Sequence, residues 1–168
     1  MTGKLRIRHA EPGDLPGILE ILNHYILNDH CTFDTEPWTV GEKMPWFESC
    51  AADSPYQLLV ATLDGKIAGY AHSSRWRPKN AYDITVETTV YVAADSQGLK
   101  IGRALMDSLL KGLSGYGLRS AVAGVTQPNP ASDHLHTSLG FTKVGTFEQV
   151  GYKFGNYHDV TWYRRRLD

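Results

Sequence analysis

Residues 82–113 constrain the fold more than any other stretch. Tyr82 to Val92 is rich in Thr, Val and Tyr, residue types that suit a pleated, half-buried strand. A short loop with Gly98 and Gly102 follows, and Ile101, Leu105, Leu109 and Leu113 then recur at helical spacing. A strand that turns straight into an amphipathic helix needs a sheet to join and a sheet face for the helix to cover. The junction also carries chemistry. Free N–H groups and the dipole at a helix start favour an anion. One carboxylate, Glu87, stands a strand's length away. A phosphate cradle beside a candidate base predicts a transferase that uses a phosphorylated cofactor.

The rest of the chain supplies that sheet. Lys4 to His9 alternates as a strand, and Asp14 is placed to cap a helix carrying Leu15, Ile18, Leu19, Leu22, Tyr25 and Ile26 on one face. Asn28 to Pro37 reads as a loop, and Val40 to Ala52 as a weaker helix interrupted by Pro45. Tyr56–Thr62 and Ile67–Trp76 read as a hairpin around Asp64-Gly65. Ala121–Val125 is a short apolar strand, placed centrally. Ala131–Leu139 is a short helix ended by Gly140, and Thr142–Val150 and His158–Arg165 are final strands. The predicted order is βααβββαβαββ, a mixed sheet with helices on its faces.

Composition narrows the function classes. At 168 residues and 42% hydrophobic, without linker or repeat, residues 1–168 read as a single domain. A formal charge of −1 provides no basic field for nucleic acid, and Arg164-Arg165-Arg166 is short enough to be a solvated terminus. Cys31 and Cys50 lack metal-ligand spacing, so no metal is expected, and a reduced cytoplasmic setting is the default. Met1 to Arg6 lacks the apolar core of a leader, and no run approaches the ~18 apolar residues of a membrane span.

Six segments in order carry a family resemblance. They are Thr32-Phe-Asp-Thr-Glu-Pro37, Trp76-Arg-Pro-Lys-Asn-Ala-Tyr82, Thr85-Val-Glu87, Thr89-Val-Tyr-Val92, Leu135-His136 with Leu139-Gly-Phe141, and Gly151-Tyr-Lys-Phe-Gly155 with His158-Asp159. With the element order, they resemble the GNAT family of acetyl-CoA-dependent N-acetyltransferases over essentially the whole chain. Within it they are most similar to the phosphinothricin and methionine-sulfoximine acetyltransferases. The resemblance implies the GNAT α/β (α+β) fold, a mixed, mostly antiparallel central sheet flanked by helices. It implies acetyl-CoA as co-substrate, direct transfer in a ternary complex to the α-amine of a small amino-acid-like acceptor, and a homodimer. Neither nucleic acid nor a membrane is an expected partner.

The site residues follow, each beside a plainer explanation. Glu87 is either a solvent-facing strand residue or the general base. His136 is either a satisfied helical histidine or, by resemblance, the group serving the departing sulfur. As a neutral ring it would relay a proton, and as a cation it would donate one. His134, two residues away, is expected to face elsewhere. Gln97, Gly98, Lys100, Gly102 and Arg103 form the expected phosphate loop. Lys100 stands where the family usually has Gly, and the cradle is expected to form if its φ stays negative. Val90 and Val92 are expected to present backbone groups to the pantetheine. Asn129 is a turn residue between prolines or a cofactor contact. Arg75, Arg77 and Lys79 are solvated charges or a clamp for an acceptor carboxylate. Phe33 and Tyr82 are core or walls of the acceptor pocket. Arg77 and Lys79 disfavour a polycationic acceptor such as a polyamine. A peptide N-terminus is a rival acceptor, and a non-catalytic acyl-CoA-binding sensor is a rival of another class.

Overall fold

The computed structural model describes residues 4–168, so the first three residues of Met1–Arg6, the segment read above for a leader, lie outside the described residues. The elements are β1 (Leu5–His9), α1 (Leu15–Asn28), α2 (Val40–Glu48), β2 (Leu58–Leu63), β3 (Lys66–Arg75) and β4 (Thr85–Val92). They continue as α3 (Ile101–Gly112), β5 (Ser120–Thr126), α4 (Pro130–Ser138), β6 (Thr142–Lys153) and β7 (Asn156–Arg166). Their order is the predicted βααβββαβαββ. The strands form one sheet in the order β1-β2-β3-β4-β5-β7-β6. Every pairing is antiparallel except β4 with β5, which is parallel.

Strand alternation divides the core in two. On one face Ile101, Leu105, Met106 and Leu109 of α3 pack on Ala61, Ala71, Val86 and Ala121. On the other, Leu15, Ile18, Leu22 and Ile26 of α1 and Phe47 of α2 pack on Leu58, Val60 and Tyr70. Tyr70 and Ala71 are neighbours in β3 and serve opposite faces. The β2–β3 turn places Asp64 at φ 50° and Gly65 at φ 84°, the double left-handed geometry that matches the twist of a tight hairpin.

One capping role and two boundaries are corrected. Asp14 precedes α1, yet its carboxylate does not cap that helix. It binds the Arg8 guanidinium at 2.6 and 2.9 Å and accepts the Glu11 N–H at 2.8 Å. Pro16 lacks an N–H at one of the two positions a capping side chain reaches. Helix α2 starts at a capping box, Thr39 with Glu42, tolerates Pro45, and stops at Glu48 rather than Ala52. The Ala51 N–H is drawn instead to the Tyr56 carbonyl at 2.9 Å. Strand β4 begins at Thr85, not Tyr82, because Asn80–Tyr82 winds into a 3-10 turn. Arg75 holds that turn through Asp83 and Asn80, both at 2.9 Å.

Candidate active site

Strands β4 and β5 pair only from Thr85–Glu87 to Ser120–Val122. Each keeps its outer neighbour further along, β4 with β3 to Val92 and β5 with β7 to Thr126. Past Glu87 the sheet therefore forks. The fork opens a cleft of about 940 Å³, walled by Thr88–Val92, the loop and first turn of α3, and α4. The Ala93 N–H bonds the Ala68 carbonyl at 2.9 Å. In that antiparallel register the odd-numbered residues of β4 bond β3, and Val90 and Val92 aim their main-chain groups into the fork. The Val92 carbonyl already accepts the Tyr25 hydroxyl at 2.6 Å, and Tyr25 in turn accepts from the Gln97 amide at 2.8 Å. Val90 is thus the freer edge for a peptide-like ligand. Tyr25 was legible in the sequence only as one residue of an apolar stripe, and its hydroxyl role had no signal there.

The loop into α3 does not meet the condition set for Lys100. Gly98 lies at φ 78°, and Lys100 takes the left-handed conformation at φ 61°, ψ 16°. Its φ does not stay negative, because the chain must reverse immediately before the helix. The N–H groups of Ile101, Gly102 and Arg103 fill the first turn and have no intrahelical partner. A Cβ on Gly102 would lie 3.4 Å from Val92 and 3.7 Å from Leu135, so α3 starts in close contact with both β4 and α4. The guanidinium of Arg103 reaches Ser138 of α4 at 3.1 Å and Asp107 at 3.8 Å. Asn129 caps α4, its side-chain oxygen accepting the Ser132 N–H at 3.1 Å, and it borders the cleft. Replacing Lys100 by glycine is expected to stabilise the fold by roughly 0.5–1 kcal/mol, since the left-handed conformation costs an L-residue about 1–2 kcal/mol and the freer unfolded chain returns part of it. Urea denaturation checks this, and a destabilised variant would show that the lysine side chain contributes more than its backbone costs.

His136 is buried in α4. Its Nδ1 lies 2.8 Å from the Ser132 carbonyl and 3.2 Å from the Ser132 hydroxyl. The ring stacks on Tyr163 at 5.7 Å and meets Phe141 edge-on at 5.2 Å. Burial pushes its pKa below the usual value, against the opposing effects of Ser132 and Asp133. At neutral pH the imidazole is therefore uncharged, with the Nδ1 proton assigned by its bond to the Ser132 carbonyl and Nε2 left as the basic nitrogen. His134 is exposed but borders the same cleft, so it does not face elsewhere as expected. The cleft follows both flanks of α4.

Glu87 sits at the fork, opposite Ser74 of β3 and beside Val122 of β5. Alternation turns Val86, Val90 and Val92 toward α3 and Tyr91 toward α1, so Glu87 shares the α1–α2 face with Thr89 and Tyr91. Burial raises its pKa above the ordinary carboxylate value, and the positive Arg77 partly opposes that shift. Arg77 packs 5.2 Å from the Trp76 ring, and Tyr82, 41% exposed, meets Trp76 edge-on at 5.2 Å. Lys79 is exposed beside them, whereas Arg75 is committed to Asp83 and Asn80. Phe33 belongs to a second loop, where its ring lies against Gly151 and His158. On the Glu87 side of β3, His72 Nδ1 and Trp76 Nε1 are buried without a partner among the described residues. Burial, aided by the positive Lys43, holds the His72 pKa down to about 4. Nothing in the sequence marked this histidine.

A forked sheet, with a carboxylate at the fork and an N-terminal helix turn facing the opening, invites comparison with known acetyltransferases. The family model described as the acetyltransferase (GNAT) domain matches residues 7–162. The chain belongs to the GNAT family. A phosphinothricin N-acetyltransferase from Streptomyces coelicolor is 46% identical over 168 residues, covering 99% of this chain and 98% of that protein. An L-methionine sulfoximine/L-methionine sulfone acetyltransferase from Pseudomonas aeruginosa is 37% identical, with 96% and 94% covered. The crystal structure of a GNAT superfamily phosphinothricin acetyltransferase from Sinorhizobium meliloti, solved with AcCoA, superposes with a TM-score of 0.91. That pair is 32% identical, covering 99% of this chain and 89% of that one. Among the described residues no group of His, Cys, Asp or Glu side chains converges as a metal site. No described helix is long and apolar enough to cross a membrane.

Proposed function

We propose that this GNAT enzyme transfers the acetyl group of acetyl-CoA directly to the α-amine of a small amino-acid-like acceptor, of the phosphinothricin or methionine sulfoximine/sulfone type. The observation that carries the proposal is the fork at Glu87. One face of β4 turns a carboxylate toward the acceptor side, and its unpaired edge faces a cleft large enough for the cofactor arm. When bound, acetyl-CoA supplies an activated acetyl thioester. The first-turn N–H groups of α3 and the side chain of Arg103 suit its pyrophosphate, and the Val90 edge suits the pantetheine amides. Glu87, with its raised pKa, takes the proton of the acceptor ammonium directly or through water. Nε2 of neutral His136 would take up the second proton released as the amine displaces the thioester sulfur and pass it to the departing CoA thiolate. Arg77 and Lys79 meet the acidic groups of the acceptor, while Phe33 and Tyr82 wall its side chain.

The proposal includes a cytoplasmic homodimer without nucleic-acid or membrane partners. The exposed apolar side chains Val144, Phe147, Val150, Tyr152 and Tyr157 on β6 and β7 support a second copy there, and sedimentation measures it. Thiol release from acetyl-CoA, followed against a panel of amines, tests the activity. Amino acids that carry an acidic or sulfone side chain are expected to react, and their decarboxylated analogues to be poor. Equal rates for acid and decarboxylated amine would refute the acceptor class.

Arg77→Ala is expected to raise the acceptor KM by about 10- to 100-fold, because a charge-assisted hydrogen bond contributes roughly 1.5–3 kcal/mol. The KM for acetyl-CoA is expected to hold. The same substitution removes the positive charge that opposes the Glu87 shift, so the acidic limb of kcat/KM is expected to move to higher pH. An unmoved limb would separate Arg77 electrostatically from the base.

A further inference from the structure

The Gly151–Gly155 motif on the final hairpin has no part in the chemistry above, yet it grips the loop that carries Phe33. Lys153 ends β6 and is only 4% exposed. Its ammonium donates to the Asp29 carbonyl and to the Thr32 carbonyl, each at 2.8 Å. Asp29 is the residue that closes α1, where a cation also meets the negative end of the helix dipole. A buried ammonium that bonds two main-chain carbonyls of one short loop fixes the path of that loop, because each lost bond would leave a charge in a poorly solvated place.

Three further contacts converge on the loop of residues 29–33. A Cβ on Gly151 would fall inside the Phe33 ring, so the missing side chain is the space in which that ring sits. His158 of β7 stacks on His30 with ring centres 5.1 Å apart and planes within 5°, and its Nε2 lies 3.1 Å from the Lys153 carbonyl. His30 continues to the Pro128 carbonyl at 2.9 Å. Asp29 and Cys31 border the cleft, and Phe33 is a wall of the acceptor pocket in the function proposed above.

We propose that Lys153 is a positioning residue for the acceptor: from the last hairpin of the same chain, its ammonium and the vacant side of Gly151 seat loop 29–33 so that Phe33 faces the acceptor amine. The assignment rests on the proposed acceptor site for its kinetic consequence, but the seating of the loop is testable without any acceptor. The side chain acts through Phe33 and touches no reacting atom.

The experiment compares the native enzyme with Lys153→Met and Gly151→Ala. Lys153→Met keeps the length and loses the three donors. Gly151→Ala keeps every Lys153 bond and pushes the Phe33 ring aside, so it stands in if the first variant fails to fold. Amide hydrogen exchange of the peptide spanning 29–33 is expected to accelerate at least tenfold in Lys153→Met, with β4 amides unchanged. Both variants are expected to raise the acceptor KM at least tenfold while the acetyl-CoA KM stays within about twofold, on whichever amine the native enzyme turns over fastest. Unchanged exchange in 29–33 would overturn the seat. Faster exchange with both KM values rising together would overturn the acceptor-positioning role and leave a general structural one. Failure of the native enzyme to acetylate any amino-acid-like amine would instead refute the acceptor class, with the exchange result still deciding the seat.

Discussion

Glu87→Gln is expected to lower kcat by at least about 10²-fold, the usual scale for losing a general base. Glutamine matches the carboxylate in size and fits the same half-buried place between Ser74 and Val122. It cannot accept the ammonium proton. The raised pKa of Glu87 sharpens the expectation, because a carboxylate destabilised by burial is a stronger base than a solvated one. Glu87 does not line the cleft, so acetyl-CoA affinity is expected to hold. Raising the pH converts more acceptor to free amine and is expected to recover part of the lost rate. A variant with near-native turnover from acid to alkaline pH would remove Glu87 from the chemistry.

The second large effect concerns stability. His72 is half-buried beneath α2, with Trp46 edge-on at 5.3 Å, and its pKa is held down to about 4 from the ordinary 6.5. The folded form keeps this ring neutral where the unfolded chain protonates it. The contribution is complete above pH 6.5 and is lost as pH falls toward 4, because only the unfolded state gains the proton over that window. The loss amounts to as much as roughly 3 kcal/mol, at about 1.4 kcal/mol per pKa unit. Denaturation at pH 7 and pH 4 measures it. His72→Leu is expected to shrink the difference between the two pH values by that amount, whatever its absolute stability. Equal pH losses in native protein and variant would place the acid sensitivity elsewhere, with the buried His136 as the next group to test.

Much of the architecture was legible because it depends on short-range rules. The helical spacing of Ile101, Leu105, Leu109 and Leu113 dictates a buried face, and all four are at most 2% exposed. Asp64-Gly65 dictates a tight hairpin because both residues tolerate positive φ. Glu87 and the glycine-bearing loop were visible as a carboxylate strand ahead of a helix start. The misplaced boundaries have local causes that only folding supplies. Tyr82 looks strand-like, but Arg75 pulls Asn80 and Asp83 into a turn before the strand can begin. Lys100 carries no mark of a positive φ in its side chain, and the reversal into α3 imposes one.

By itself the sequence determined the element order, the two apolar helix faces, the GNAT resemblance and the residue types available for chemistry, since periodicity and turn composition are properties of neighbours along the chain. The tertiary structure decided how those residues combine. It set the fork after Glu87, because β3 and β7 keep β4 and β5 as they diverge. It tied Tyr25 to Val92 and Gln97, and it made His136 neutral by burying it. It also joined Lys153 to a loop more than a hundred residues earlier. Hydrogen bonds and burial of that kind depend on distances in space, and side chains far apart in sequence acquire those distances only when the sheet has formed.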